Sequence, residues 1–277
     1  MFPKRNSNLF KIPKRIYFRF KDDNITAFAS QLTYSFILSF FPFLIFLLTL
    51  LSYTPIKSKR VLDFLSATLP EASFDIVLNT INQIIASRSG ALLSIGMITT
   101  IWMASNGMNA AIKGLNKAFD QKESRPFWKV RGISIIATLI LALTVLFSFV
   151  LLVFGEIIGE NLFQFLGFSH LFVTVWNFAR YIITFFSMIF AFSLLYRFIP
   201  NNPPNFKKVI PGAIFTTLGW IIVSFFFSIY INNFNNYSNM YGGIGGIIIL
   251  LIWLYWISVI ILLGGELNAS LIILRKK

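Results

Sequence analysis

The sequence predicts an all-α membrane protein: a polytopic bundle of six transmembrane helices with an N-terminal interfacial amphipathic helix and a short helical extracytoplasmic loop. Three observations carry this. Hydrophobic residues make up 56% of the 277 and charged residues only 12%, whereas soluble domains carry roughly a quarter charged; mean hydropathy is +0.74. Apolar runs recur at lengths that cross a hydrocarbon core of about 30 Å as helices. The basic residues behind the net charge of +14 sit between those runs and not on one soluble face, which is the pattern of topology determinants and not of a nucleic-acid surface.

Residues 1–26 hold Lys4, Arg5, Lys11, Lys14, Arg15, Arg19 and Lys21 among Leu9, Phe10, Ile12, Ile16, Tyr17 and Phe20. The apolar positions recur at helical steps with the basic ones between them. This suits a helix lying in the cytoplasmic interface and drawn to anionic lipid; a disordered basic tail is the plainer reading. Asp22, Asp23 and Asn24 offer a cap for the first span. That first apolar run, 27–53, is too long for a cleavable signal and contains Pro42, expected to kink it. The further spans are expected at 91–112, 131–156, 172–199, 209–231 and 243–274, giving a membrane domain over 27–274 and a tail at 275–277. Between the first two spans, Phe74, Val77, Leu78, Ile81, Ile84 and Ile85 mark one helical face after Pro70, the expected surface helix.

Lys and Arg are retained on the cytoplasmic side. With six spans, the N-terminal tail, the 113–131 loop, the Arg197–Lys208 loop and the C-terminal tail share one side and hold 19 of the 24 basic residues. Both termini are therefore expected in the cytoplasm of a multi-pass cell-membrane protein. The opposite loops are sparse in charge: 156–171 has Glu156, Glu160 and the single His170, and 232–241 is rich in Asn.

Few residues in the spans bear chemistry. Glu266 is the sole acid inside a span, a costly placement that is functional by default; a partner-satisfied structural acid is the alternative. Arg197 is its expected partner, near the same depth on the fourth span, with Lys113 as competitor and snorkelling as the alternative fate of Arg197. Gly107, Ala111 and Gly114 form a smooth face for helix packing, as do Gly242 and Gly246 at the other end of the last span. Gln31, Tyr34, Asn106, Asn109 and Asn268 join Arg197 and Glu266 as a polar set in the inner half. That set reads either as interhelical hydrogen bonding or as an inward-facing vestibule on a substrate or ion pathway.

Catalytic readings fare poorly. There is no cysteine and one histidine, so neither thiolate chemistry nor a zinc HExxH site is available. One acid in the spans cannot make a carboxylate dyad, and Ser169–His170 lacks an orienting acid. No catalytic residue, metal or cofactor is expected.

Several blocks taken together resemble one family. AFASQLTYSFILSFFPFLIFLL (27–48), WMASNGMNAAIKGLNKAF (102–119) followed by RPFWKVRGIS, LYRFIPN (195–201), PGA (211–213), NYSNMYGGIGGIIILLIWLY (236–255) and GGELNA (264–269) resemble the YihY/virulence-factor BrkB family in order along nearly the whole chain. The resemblance implies a bacterial inner-membrane protein with six spans, some members being proposed as envelope transporters; an old ribonuclease BN label also travels with the family. The expected function is transport or flipping of an envelope-related substrate through the inner vestibule. The alternative is a non-transporting structural or partner-binding envelope protein. The bilayer, anionic lipid at the N-terminal segment and a possible second copy of the chain are the expected partners, with no nucleic acid.

Overall fold

In the computed structural model, residues 11–51, 78–79, 82, 89–154, 170–233 and 243–276 are described. Seven α-helices run through them: α1 (Lys11–Asp22), α2 (Ile25–Leu51), α3 (Gly90–Ala118), α4 (Phe127–Phe149), α5 (His170–Phe198), α6 (Phe206–Asn233) and α7 (Gly243–Lys276). A π-helical stretch, Val150–Phe154, extends α4, and there is no strand among the described residues. The all-α reading is thus correct. The expected surface helix between the first two spans falls almost wholly outside the described residues, as do the tail residues 1–10, the loop 156–169, Gly242 and Lys277.

Apolar composition makes these helices long. α7 covers 34 residues, about 50 Å of helix. Five described helices are long and apolar enough to cross a membrane: α3, α4, α5, α6 and α7. The predicted first span lies on α2, a 27-residue helix with Pro42 inside it; it is not among those five, so the expected six is not matched in number. On most of these helices the buried residues form a stripe and the large apolar residues on other faces are exposed, Phe178, Phe186, Phe225 and Phe226 among them. In water such a surface would aggregate; in a bilayer it is the solvent-facing side.

The described residues fall into two compact units. Ser35–Ala104 forms one, where the backbone of Phe46 on α2 comes within 3.0 Å of where a Cβ on Gly96 of α3 would stand. The hydroxyls of Ser39, Thr49 and Thr100 turn back onto carbonyls of their own helices, the usual resolution for a hydroxyl in an apolar helix.

The other unit comprises the chain up to Tyr34 and from Ser105 onward. Here α7 is the central element, packed along α6 and touched by α1, while α5 packs on α6 and α4 on α5. Ile25 and Ala29 of α2 meet Val259 and Leu262 of α7, with Phe20 of α1 against the same cluster. Small residues let the backbones close. A Cβ on Gly212 of α6 would collide with the carbonyl of Gly264 on α7, and one on Gly264 with the hydroxyls of Thr216 and Tyr196. On the second span, Gly107 and Ala111 are buried, and Gly114 faces Leu262 and Phe28. Gly246 has nothing within 4 Å of its would-be Cβ.

Candidate functional site

Helix ends leave carbonyls without partners in the chain, and two such ends meet here. α1 finishes at Asp22 and turns into α2 through Asp23 and Asn24, the latter at φ 51°, a left-handed conformation that Asn tolerates better than most residues. α3 finishes at Ala118, after which Asp120 takes φ 53°. Each end is closed by a cation from the other helix. Lys117 Nζ donates to the Asp22 carbonyl at 2.8 Å, and Arg19 donates through Nη1 to the Ala118 carbonyl. Positive charge at a helix C-terminus also opposes the macrodipole.

Arg19 reaches two carboxylates besides. Its Nη2 lies 2.9 Å from Asp120 Oδ2, and its Nη1 lies 3.1 Å from Glu266 Oε2. Glu266 is only 1% exposed, and Asp23 approaches it as well; Asp23 Oδ2 is buried with no hydrogen-bond partner among the described residues. The acid of α7 is therefore held by the amphipathic helix. This corrects the expected Glu266–Arg197 pair. Arg197 instead donates Nη1 to the carbonyls of Pro203 (2.9 Å) and Pro204, because the prolines after α5 present carbonyls closer to hand than the acid on α7.

Two further arrangements adjoin this contact. Pro211 sits inside α6, and Asn268 of α7 bonds the backbone on either side of it. Its Oδ1 accepts from Gly212 N at 2.7 Å and its Nδ2 donates to the Val209 carbonyl at 3.0 Å. Nearby, the Tyr196 hydroxyl meets Thr216 Oγ1 and the Ile261 carbonyl, each at 2.6 Å. The blocks PGA and GGELNA are thus two sides of one helix crossing.

The loops after α3 and α5 form a clasp. Asn116 donates Nδ2 to Glu123 (2.7 Å) and accepts from the Asn201 amide (2.7 Å). Arg125 holds Glu123 through Nε (2.7 Å) and Nη2 (2.6 Å), and Nη2 also donates to the Ile199 carbonyl. Gln121 accepts from the Asn202 amide and donates to its carbonyl. Hydrogen bonding from Arg125 holds the Glu123 carboxyl at about 2, below the ordinary 4.5.

The predicted polar set does not gather at one point. Glu266 and Asn268 are buried together on α7, Asn106 is exposed and accepts from Arg131 Nη1, Asn109 is half-buried, and Gln31 and Tyr34 are exposed on α2. Sequence reasoning missed Arg19 as a partner of Glu266, assigning it to lipid, and missed Asn116, Arg125 and Asn201 as a clasp. The signal for the clasp was present: each of these three lies in a block that carried the family resemblance.

Long apolar helices with a buried acid at one end define a polytopic membrane protein. The comparisons make this particular: residues 16–275 match the family described as virulence factor BrkB, and the chain belongs to that family. It is 43% identical over 243 residues to the putative ribonuclease-like protein YfkH of Bacillus subtilis, covering 88% of each chain. It is 26% identical over 266 residues to a UPF0761 membrane protein of Alteromonas mediterranea, covering 91% of this chain and 85% of that one. A UPF0761 membrane protein of Aggregatibacter aphrophilus shares 24% identity over 219 residues, 75% of this chain and 76% of its own. No solved structure matches.

Proposed function

We propose that the chain moves an envelope-related substrate across the membrane, as a transporter or flippase without catalysis, and that the Arg19–Glu266 contact is its inner gate. The observation that carries this is Glu266 itself. An acid inside a membrane helix costs on the order of 2.5–3.5 kcal/mol on insertion scales, so it persists where it serves a charge. Its cation comes from α1, a 12-residue helix outside the spans. Releasing α1 uncovers Glu266 and Asp23 while the Gly212–Gly264 crossing of α6 and α7 stays intact. The Lys and Arg bias supports a cytoplasmic location for this end and for both termini. The basic residues of the 1–26 segment give α1 an alternative resting place on anionic lipid. Gln31, Tyr34, Asn106 and Asn109 are the remaining pathway candidates, the α2 span completes the expected six, and a homo-oligomer is compatible with the exposed apolar faces.

A specific observation favours a second reading, in which the protein is structural or binds partners and moves nothing. Glu266 is sealed, Asn268 has both amide ends bound to α6, and three cavities of about 490, 760 and 590 Å³ lie along α4 and α5 without Glu266 in their walls. A ribonuclease reading, which the name of the Bacillus relative suggests, has less support: the basic residues lie between the apolar runs and not along one groove, the pattern of topology determinants. The test compares lipid and envelope-metabolite content in cells carrying the wild-type chain, no chain, or the double variant Arg19→Gln, Glu266→Gln. Transport through the gate predicts an altered composition without the chain that the folded double variant does not correct. Full correction by the double variant sinks the gate and leaves the structural reading.

A further inference from the structure

The geometry points to a binding site for an anionic phospholipid in the crevice between α4 and α5, one acyl chain lying in the crevice and the headgroup on Lys129. This does not depend on whether the chain transports. A cavity of about 490 Å³ runs along these helices, with Lys129, Ile133 and Ile140 on the α4 side and Leu194 and Phe198 on the α5 side. Residues 129, 133, 136 and 140 recur at steps of four, three and four, with 137 four beyond 133, so they form one face of α4 and make a continuous wall. A second cavity of about 590 Å³ continues the crevice past the shared residues Ile140 and Leu194.

Dimensions and charge select the occupant. The eleven helical steps from Lys129 to Ile140 span about 16 Å, half of a hydrocarbon core of about 30 Å, which is the reach of one leaflet. Depth is marked independently by Phe127 and Trp128, which are 64% and 79% exposed at the start of α4, where aromatic side chains settle at the membrane–water boundary. The two cations at the mouth differ. Arg125 is already bound to Glu123 and the Ile199 carbonyl. Lys129 is exposed and makes no ion pair among the described residues. An apolar slot that reaches one leaflet's depth by Ile140, where the second cavity takes over, with an exposed ammonium at its mouth, matches a phosphate-headed, acyl-chained molecule, and a zwitterionic lipid would satisfy it less well.

Native mass spectrometry of the full chain in detergent tests this, with phosphatidylglycerol and phosphatidylcholine of identical chains as probes and inorganic phosphate as a separate arm. One basic residue near an anionic headgroup is worth about 1 kcal/mol, so phosphatidylglycerol should be favoured by about fivefold. Lys129→Gln should reduce that preference to near unity while leaving the protein monodisperse. Ile133→Trp, which narrows the slot, should weaken binding of both lipids and leave the headgroup preference unchanged. Equal binding of the two lipids by wild type, or a preference unchanged by Lys129→Gln, overturns the site. Saturation by inorganic phosphate at the same concentration overturns its lipid character. Protein dimers that disappear in Ile133→Trp would assign the crevice to a second copy of the chain instead.

Discussion

Two arginine–carboxylate pairs lie in the same unit, and they differ in nearly everything but chemistry. Arg19–Glu266 joins residues 247 apart in sequence, with side chains 13% and 2% exposed. Arg125–Glu123 joins residues two apart, with side chains 9% and 28% exposed. The first connects three helices; the second shapes one loop and ties it to the end of α5. A buried pair is weak evidence of stabilisation, because both charges left water to make it. Its force is conditional: once the pair exists, losing one member strands the other. In the loop pair the arginine is as enclosed as Arg19 but the carboxylate keeps contact with water, so the asymmetry is smaller. The comparison separates a contact that fixes the arrangement of helices from one that trims a turn.

The largest expected effect breaks the first pair. Arg19→Gln or Glu266→Gln alone should destabilise the detergent-solubilised protein by about 3–5 kcal/mol, the usual cost of orphaning a buried charge. The double variant should lose less than the sum of the two. Thermal unfolding of the three variants measures the coupling; additive losses would show that the pair is not a unit.

A smaller effect asks whether the region is sensitive to packing as well as to charge. Gly264→Ala places a methyl against Thr216 and Tyr196, and Gly212→Ala places one against the Gly264 carbonyl. Each should cost about 1–3 kcal/mol as overpacking. Gly246→Ala, on the same α7 with open space around it, should be near neutral. Equal behaviour at 246 and 264 would refute the close crossing.

The smallest effect belongs to the loop pair. Arg125→Gln should cost about 1 kcal/mol, less than either change at the first pair, because the Glu123 left behind is still reached by water. Because the Glu123 carboxyl titrates at about 2 in the folded chain instead of the ordinary 4.5, its contribution is complete above pH 4.5 and falls away as pH drops toward 2. Wild type should therefore lose stability over that window relative to Glu123→Gln. A difference between them that stays constant from pH 6 to pH 3 would show that the carboxylate adds nothing.

How much of this was legible depended on distance along the chain. Helix class was readable because apolar composition acts locally and over long runs. Gly114 was readable because a small-residue face repeats within one helix. The partner of Glu266 was not: depth arguments favoured Arg197, and nothing in the sequence records that α1 folds back over the end of α7. Arg19 looked like any other interfacial cation. Gly212 and Gly264 lie on different helices, so no spacing rule links them; only their shared membership in the family blocks hinted that they belong to one contact. The amphipathic segment was recognised as a helix, but the pattern that puts Ile16 and Phe20 on one face could not distinguish lipid from α7 as the surface beneath it.

The 247 residues between Arg19 and Glu266 also have a meaning in time. At a synthesis rate of about 5–20 residues per second, roughly 12 to 50 seconds pass after Arg19 leaves the ribosome before its carboxylate exists. During that interval α1 has only water, lipid headgroups and the end of α3 to satisfy it. α6 likewise is made before Asn268, so the backbone groups flanking Pro211 wait for α7. Final closure of this contact is therefore a late step of biogenesis, one that waits on the arrival of α7.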